Sequence, residues 1–442
     1  MNNGTRFAHL NEALEIYIKL EDLEMIGRSF IELTDALIAV SRYEGATETA
    51  RRGLAHLQAD NSVDRARLLA AFGYAHALTA GYEPAHEALQ EALNIALELS
   101  DPKFEARILG ARSMLNLRFF RLRDAAADGL RSEQLAGSGT PPWQRATRLR
   151  ILHQALHYLG HVEEAMRIAD ELESLARKSG QSFSLARSFS TRAWAEFSKA
   201  PDLGKLETTL QEMWKSDRRT QYPNWEPVSE VHLCLGDYYR GNWTSALLHA
   251  RAACRHEPGP TQGFGVGALF RQLAYAGDRE GALAILDEKR TWLPRTGQQN
   301  TGDSWWMLTL VIEGLVILGD HSQAAQFYPL VGELIDTEAV VLWSSSHLTQ
   351  TIAGIAAAAA RQWETAKDHF RIALQQAESF PHVLEQAEIR RFHAMMLIDR
   401  FGVGDRDKVQ TLLNEALQSY ERIEMPRHVE MTQTLLARAA ER

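Results

Sequence analysis

The chain repeats one short pattern at intervals of about 40 residues along its length. In each copy, an apolar stretch with helical periodicity ends in a short turn, and a second helical stretch begins near a small residue. A repeat of this length is typical of stacked helix pairs, because each pair buries one face internally and another against the next pair. The residues that mark the copies are Ala46, Ala85, Ala125, Ala165, Ala246, Ala282, Ala324, Ala366 and Val409.

The spacing of these markers gives the number of repeat units. Seven of the eight intervals lie between 36 and 43 residues, whereas Ala165 and Ala246 are 81 residues apart. Because this long interval corresponds to two periods, we expect a degenerate unit near Leu206. The chain then contains about ten units of about 40 residues.

The residues at the turns have physical roles that agree with this interpretation. A Gly at the end of the first helix allows the left-handed backbone conformation that caps a helix. Acidic residues that follow it, such as Asp278, Asp320 and Asp405, suit the N-terminus of the next helix through capping and the helix dipole. The small marker residue lets the two helices of a unit approach closely.

These motifs resemble the tetratricopeptide repeat (TPR). The family's turn, Gly-x-Tyr/Trp-x-x-Ala, matches residues 241–246, and Gly73 and Gly354 stand twelve residues before Ala85 and Ala366, where the family's first helix carries a Gly. The period departs from the family's 34 residues, so the helices or loops are longer. The resemblance implies an all-α fold, a right-handed α-α superhelix (TPR-like solenoid) of about ten helix-turn-helix units.

The longer unit resembles the superhelical arms of large bacterial regulators, namely signal-transduction ATPases of the maltose-activator type and multidomain nucleotide cyclases. Residues 363–370, 385–390 and 420–426 resemble the end of those arms most closely. This resemblance implies a non-enzymatic scaffold or sensor arm, the regulatory TPR region of a larger signal-transduction or transcription-regulatory ATPase. Any catalytic activity would then reside in domains outside this chain.

The predicted domain organisation is a single solenoid over residues 1–442. It comprises an orphan helix of a partial unit in 1–22, N-terminal units in 23–220, an irregular unit with loops in 221–267, and C-terminal units in 268–442. Because the array begins in mid-unit, we predict that the chain is the C-terminal part of a longer regulator. A diverged capping helix is the alternative.

Composition and charge exclude several other classes of protein. The net charge of −9 argues against direct nucleic-acid binding, which favours a basic face. The chain has no run of 18 apolar residues and no apolar signal-peptide core near its start, which predicts a cytoplasmic protein without a membrane span. The two cysteines, Cys234 and Cys254, are too few for a disulfide framework or a four-cysteine zinc site, and we expect both to be buried.

The motifs that would indicate catalysis, a cofactor or a metal are weak. The glycine-rich segment 263–267 lacks the strand and the acidic residue that dinucleotide binding requires, so we expect it to lead into the next helix. His153 and His157 have a spacing that could hold a metal, but the sequence HQALH lacks the Glu of the metalloprotease motif. We therefore predict no enzyme activity, cofactor or metal, and favour helix-surface or packing roles for these histidines.

The first helices of the units line the concave groove in this repeat class, and their polar residues are our candidates for contact with a protein or peptide partner. Arg suits this role because it pairs bidentately with the carboxylates of an acidic peptide. A solvated helix face is the alternative for each residue. The predicted contact residues are Arg107, Arg112, Arg148, Arg150 and His153.

Tryptophans form a second candidate surface, because exposed Trp residues often dominate binding energies. Trp305 and Trp306 are adjacent, so we expect one to pack in the core and the other to point outward towards a partner. Trp194, Trp225 and Trp343 are further candidates, with core packing as the alternative. A small effector bound in the groove, or a stand-alone TPR adaptor, remains open beside the scaffold hypothesis.

Overall fold

The described residues of this computed structural model form 23 α-helices joined mainly by short turns. Extended structure among them is limited to an isolated bridge between Val341 and Leu348. The prediction of an all-α fold is therefore confirmed for the described residues. The described ranges are 3–40, 42–57, 63–79, 81–137, 139–219, 226–257, 261–342 and 347–441.

The chain divides into two compact bodies, Met1–Ala155 (the N-terminal body) and Leu156–Arg442 (the C-terminal body). Successive helices of the N-terminal body pack as hairpins, α2 with α3, α4 with α5, and α6 with α7. Its helices are α1 (Asn3–Leu20), α2 (Leu23–Ala39), α3 (Tyr43–His56), α4 (Val63–Thr79), α5 (Tyr82–Glu98), α6 (Pro102–Arg118), α7 (Leu122–Ala136) and most of α8 (Pro142–Tyr158).

The C-terminal body has the same hairpin pattern, but some of its helices and connections are irregular. One second helix is broken into α17 and α18, where Pro329 lies at the first turn of the new helix and cannot donate a backbone hydrogen bond. Its helices are α9 (Val162–Ser179), α10 (Ser182–Lys199), α11 (Leu203–Asp217), α12 (Glu226–Arg240), α13 (Trp243–Ala253), α14 (Phe264–Tyr275), α15 (Arg279–Lys289), α16 (Gly302–Ile317), α17 (His321–Ala325), α18 (Tyr328–Asp336), α19 (Thr349–Ala359), α20 (Trp363–Ser379), α21 (Val383–Arg400), α22 (Asp405–Ile423) and α23 (Pro426–Glu441).

All of the marker residues are deeply buried within the hairpins. Each of the eight marker alanines is 0% exposed, and Val409 is 2% exposed. The degenerate unit expected near Leu206 is present as the hairpin of α10 and α11, in which Leu206 is 3% exposed. The small side chain at each marker position therefore allows the close helix contact that the sequence pattern indicated.

Most of the turn residues follow the predicted capping pattern, but Asp405 accepts hydrogen bonds from Arg400 and the Gly402 N–H and does not cap α22. Gly241 and Gly319 adopt positive φ angles of 82° and 74°, and the carboxylate of Asp278 accepts a hydrogen bond from the Gly281 backbone N–H. Gly81 instead has a φ of −123° and lies as an extended residue before α5. Glycine is favoured at the two positions with positive φ because other residues are disfavoured in the left-handed region, although Phe120 and Arg361 adopt φ angles of 59° and 57° at the equivalent points of other hairpins.

Within the C-terminal body, helices far apart in sequence come into contact. Helix α21 packs against α10, and α23 packs against α12. The Tyr158 carbonyl accepts hydrogen bonds from the backbone N–H groups of Val340 and Val341 at 2.8 and 3.2 Å. These contacts create the candidate sites described below.

Two findings concern the membrane-spanning and cysteine-stabilised classes of protein that the composition argued against. No helix among the described residues has the length and apolar character needed to cross a membrane. Cys234 is buried as expected, whereas Cys254 is half-buried. Burial raises the pKa of both thiols to about 12, so both are protonated near neutral pH.

Candidate functional site

Two of the predicted contact arginines in the N-terminal body are already paired with carboxylates of the same chain. Arg112 donates to both oxygens of Asp128, at 2.8 and 2.6 Å, in a bidentate arrangement. Arg148 donates to Glu133 at 2.7 Å. A partner carboxylate would have to replace these partly buried intrachain acceptors, which favours a structural role for both arginines.

The remaining three predicted residues on these helices differ in exposure. Arg107 lies 3.3 Å from Asp35, and both side chains are about half exposed, at 51% and 42%. Arg150 is 6% exposed and His153 is 0% exposed. His153 contacts the Leu149 carbonyl oxygen through Nδ1, at 3.1 Å. Arg107 is therefore the predicted arginine that a partner in solution reaches most readily.

The adjacent tryptophans are both part of the core. Trp305 and Trp306 are each 3% exposed, so the expectation that one points outward is not met. Trp306 stacks on Phe264 with ring centroids 4.1 Å apart. Helix α16 is packed on several sides by other helices, which leaves no outward face at either position. Trp225 and Trp343 lie outside the described residues.

A buried cluster of charged side chains, which we call the ionic cluster, lies among the first helices of several hairpins in the C-terminal body. Glu313 is 0% exposed, lies 2.8 Å from Arg271 Nε, and accepts a hydrogen bond from the Tyr275 hydroxyl at 2.7 Å. His347 lies between two carboxylates, 3.5 Å from Glu313 and 3.1 Å from Glu385. The cluster thus joins α14, α16 and α21 through side chains that solvent does not reach.

The charge states in this part of the cluster follow from its contacts. Burial opposes the charge of His347, but Glu385 and Glu313 outweigh it and raise its pKa to about 10. Burial also opposes ionisation of Glu313, but Arg271 and His347 hold its pKa well below the usual range. Both groups are therefore charged near neutral pH.

The second part of the ionic cluster is centred on Glu388. This carboxylate pairs with Arg391 and accepts a hydrogen bond from the Tyr420 hydroxyl at 2.6 Å. Arg391 also donates to Tyr275 Oη at 3.2 Å, which links the two parts of the cluster. The ring of His428 packs 5.1 Å from that of Tyr420, and burial lowers the pKa of His428 to about 3.

The sequence contains a signal for this cluster that is separate from the repeat pattern. Arg271 is a single charge within the otherwise uncharged helix α14, and Glu313 lies deep in the long apolar run of α16. A lone charge on a helix that is apolar on all sides needs a buried partner. Two such helices that carry opposite charges can pair with each other. The pairing partner itself depends on how the hairpins stack.

A second feature of the C-terminal body is a cleft of about 460 Å³, which we call the α9–α10 cleft. It lies beside α9 and the end of α10, and residues around the start of α21 close its other side. Trp194 and Phe197 supply aromatic walls, and both are buried. The charged members of its lining are Glu163, Arg167, Asp170, Glu196 and Lys199.

Two buried histidines also line this cleft. His157 is 5% exposed, and its Nδ1 has no hydrogen-bond partner among the described residues. His382 accepts the Glu385 backbone N–H on Nδ1 at 3.3 Å, and its Nε2 lies 3.1 Å from Ser198 Oγ. Burial lowers the pKa of His157 to about 4 and that of His382 to about 3, so both imidazoles are neutral near pH 7.

The serine–histidine contacts do not have the arrangement that activates a nucleophile. Because Nδ1 of His382 accepts a hydrogen bond, the proton of its neutral ring lies on Nε2 and is donated to Ser198. In the same way, His232 accepts from the Trp194 indole on Nδ1 and donates from Nε2 to Ser190. A general base must accept the serine proton instead.

The glycine-rich segment 263–267 leads into α14, as the sequence predicted, and its backbone amides already bind a carboxylate. Glu257 Oε1 accepts hydrogen bonds from the N–H groups of Gly263 and Gly265, both at 3.0 Å. Burial raises the pKa of Glu257 to about 7. An intrachain carboxylate thus occupies the position that a phosphate would take in a nucleotide-binding loop. Within the described residues, no three His, Cys, Asp or Glu side chains are grouped to hold a metal ion.

Comparison with known proteins relates the chain to helical solenoids through its fold. No protein-family model matches the sequence, and no curated protein matches it. The fold is similar to the crystal structure of a Rap protein complexed with Competence and Sporulation Factor, with a TM-score of 0.50 and 11% identity over 94% of this chain and 98% of that chain.

Two further solved structures match with lower scores. The APC/C hetero-tetramer Cut9–Hcn1 has a TM-score of 0.36 and 10% identity, over 98% of this chain and 96% of that chain. Yeast Tom70 has a TM-score of 0.34 and 12% identity, over 99% of this chain and 97% of that chain. The helix hairpins and the similarity to the Rap protein structure confirm the prediction of a TPR-like helical solenoid.

Proposed function

We propose that this chain is a non-enzymatic scaffold that binds a protein or peptide, and that it is the regulatory TPR region of a larger signal-transduction or transcription-regulatory ATPase. The observation that carries the proposal is the fold, whose similarity extends over 94% of the chain to a Rap protein complexed with Competence and Sporulation Factor. Stacked hairpins present a long row of side chains, which suits an extended partner.

Arg107 is the residue at which partner contact is best tested. Its ion pair with Asp35 is exposed, and exposed pairs contribute only about 0–1 kcal/mol, so an acidic partner can replace Asp35 at small cost. Arg51 is a matched control, because it is also exposed and pairs with Glu48 on the second helix of a hairpin.

The test begins with capture of a partner from source-cell extract by the tagged full chain, followed by titration of the purified partner. We expect Arg107→Ala to weaken the affinity about tenfold and Arg51→Ala to leave it unchanged, since a charge pair at an interface contributes on the order of 1.4 kcal/mol. Raised salt should weaken binding by the wild type more than by Arg107→Ala. Equal affinities of wild type and Arg107→Ala for the partner would reject Arg107 as a contact residue.

The proposal of a larger regulator has its own measurement. This chain has a mass of 49.7 kDa, so an antibody against it should detect a native polypeptide well above 50 kDa in the source cell. A band near 50 kDa would contradict the larger regulator. It would favour a stand-alone TPR adaptor.

A second candidate function, sensing of a small effector, is supported by the α9–α10 cleft. Its volume of about 460 Å³ lies in the range of small-molecule sites, about 300–1,000 Å³. A ligand at a hundredfold excess over its Kd raises the free energy of unfolding by about 2.7 kcal/mol. A thermal-shift screen with metabolites therefore tests this function directly, and no stabilisation by any compound would count against it.

A further inference from the structure

The α9–α10 cleft has a lining that selects for one kind of ligand. We propose that it binds a small, uncharged aromatic molecule that carries one hydrogen-bonding group, such as a hydroxyl. This inference names the ligand class of the second candidate function and rests on it. It assigns the contact with the hydrogen-bonding group to His157.

The shape and chemistry of the walls favour an aromatic ligand. Trp194, Phe197 and Phe380 line the cleft together with the aliphatic side chains of Met166 and Leu384. Aromatic walls bind planar rings in stacked or edge-to-face arrangements, which add to the stabilisation from apolar burial. The volume is large enough for a fused two-ring system.

The buried polar groups favour a ligand with one hydrogen-bonding group. His157 is a neutral imidazole with one donor and one acceptor, and its Nδ1 has no partner among the described residues. A buried polar atom without a hydrogen bond is unfavourable, so a ligand that engages this ring gains affinity. A hydroxyl suits it because a hydroxyl donates and accepts, and so pairs with either tautomer.

The charges around the cleft favour an uncharged ligand. Glu163, Arg167, Asp170 and Lys199 are exposed and remain in contact with water. Glu196 is half-buried, and its carboxylate is already paired with Lys205 at 2.9 Å. Since the two buried histidines are neutral, a charged group placed among them would lose its hydration without a compensating partner.

Three probes of the same shape test these requirements by calorimetry on the full chain. We expect 2-naphthol to bind at one site, about tenfold more tightly than naphthalene, which lacks the hydroxyl. The anion 2-naphthoate should bind at least tenfold more weakly than 2-naphthol. No binding of 2-naphthol up to its solubility limit, or equal binding of 2-naphthoate, would overturn the proposal.

A pair of tryptophan variants on α9 locates the bound probe. Met166 lines the cleft and is half-buried, so Met166→Trp should fill the cleft and weaken 2-naphthol binding tenfold or more. Ser174 is exposed on the same helix and outside the lining, so Ser174→Trp should bind like the wild type. If Met166→Trp binds 2-naphthol as well as Ser174→Trp does, the site lies elsewhere and the proposal fails.

The role of His157 is tested by the ratio of two affinities. His157→Phe keeps a planar ring but removes both nitrogens, so the preference for 2-naphthol over naphthalene should fall from about tenfold to near one. A preference that stays near tenfold contradicts the assignment of this contact to His157. If His157→Phe does not fold, the Met166→Trp comparison still decides where 2-naphthol binds. A metabolite that stabilises the chain while no naphthyl probe binds would reject the ligand class but keep effector sensing.

Discussion

Arg271 and Glu313 are almost completely shielded from water, at 2% and 0% exposure. An isolated charge in such a place is strongly unfavourable, and only close opposite charges offset the lost hydration. The ionic cluster satisfies this condition with three cations, Arg271, His347 and Arg391, and three carboxylates. All six charged groups belong to one network of contacts. The carboxylates are Glu313, Glu385 and Glu388.

Arg271→Met should lower the free energy of unfolding by about 3–5 kcal/mol, because it leaves the buried Glu313 without its strongest cation. The double variant Arg271→Met/Glu313→Gln restores charge balance and should be destabilised by less than the sum of the two single variants. Urea unfolding of the four proteins measures this coupling. Strictly additive losses would show that the two charges do not depend on each other.

Glu257 gives a pH dependence whose sign follows from its raised pKa. Its folded-state pKa of about 7 lies above its ordinary value, so the folded chain binds the proton more tightly than the unfolded chain does. The contribution to stability is therefore full at pH 4 and is lost as the pH rises towards 7 and above. At about 1.4 kcal/mol per pH unit, the loss amounts to roughly 3 kcal/mol.

Glu257→Gln should remove this part of the pH dependence, because an amide does not ionise and its oxygen can still accept the N–H groups of Gly263 and Gly265. The difference in unfolding free energy between variant and wild type should shift in favour of the variant from pH 5 to pH 8. Urea unfolding at one-unit pH steps measures it. Parallel pH profiles of the two proteins would contradict the raised pKa.

At the scale of the elements, hairpin geometry depends on places where one helix has no side chain. A Cβ added at Gly354 would lie 2.6 Å from the Phe370 ring, and one at Gly73 would lie 2.5 Å from Leu89. Both distances are shorter than van der Waals contact. The large side chain of the second helix therefore packs directly against the backbone of the first.

Gly354→Ala should destabilise the chain by roughly 1–3 kcal/mol, because the added methyl group forces the Phe370 ring out of its position. Gly332→Ala is the matched control, since Gly332 lies exposed within α18 and has no atom within 4 Å of the added Cβ. There the substitution should stabilise by about 0.5–1 kcal/mol through helix propensity. Thermal unfolding should therefore show a lower melting temperature for Gly354→Ala and a higher one for Gly332→Ala. Equal changes in melting temperature would refute the close contact at Gly354.

At the scale of the whole molecule, burial is unevenly distributed among the helices. Every residue of α14 is buried, as are most residues of α16. Helix α23 buries only His428 and Thr432 among its described residues. In a stacked array, a helix covered on several sides opens only with its neighbours, whereas a helix with few buried residues can open alone.

Amide hydrogen exchange should therefore be slowest in α14 and α16 and faster by orders of magnitude in α23. Exchange measured by mass spectrometry on peptides from the intact chain tests this order. The glycines of α14 do not change the expectation, because each of them is buried in the helix. Uniform protection along the chain would indicate global opening and contradict the predicted order.

Much of the fold could be predicted from the sequence because the hairpin pattern is local. The marker residues, the turn glycines and the acidic caps lie within about 40 residues of one another, and each acts on the helices next to it. The degenerate hairpin around Leu206 was found by its spacing alone. The outcome for Trp305 and Trp306 differed, because exposure at those positions depends on which helices cover α16.

The sequence by itself determined a stack of helix hairpins and where most of their turns lie. Only the tertiary structure decided which polar residues meet, as with Ser198 and His382, which lie 184 residues apart and contact each other in the α9–α10 cleft. The physical reason is that small rotations between successive hairpins accumulate along the stack. Side-chain packing at every interface sets those rotations, so no local pattern encodes their sum.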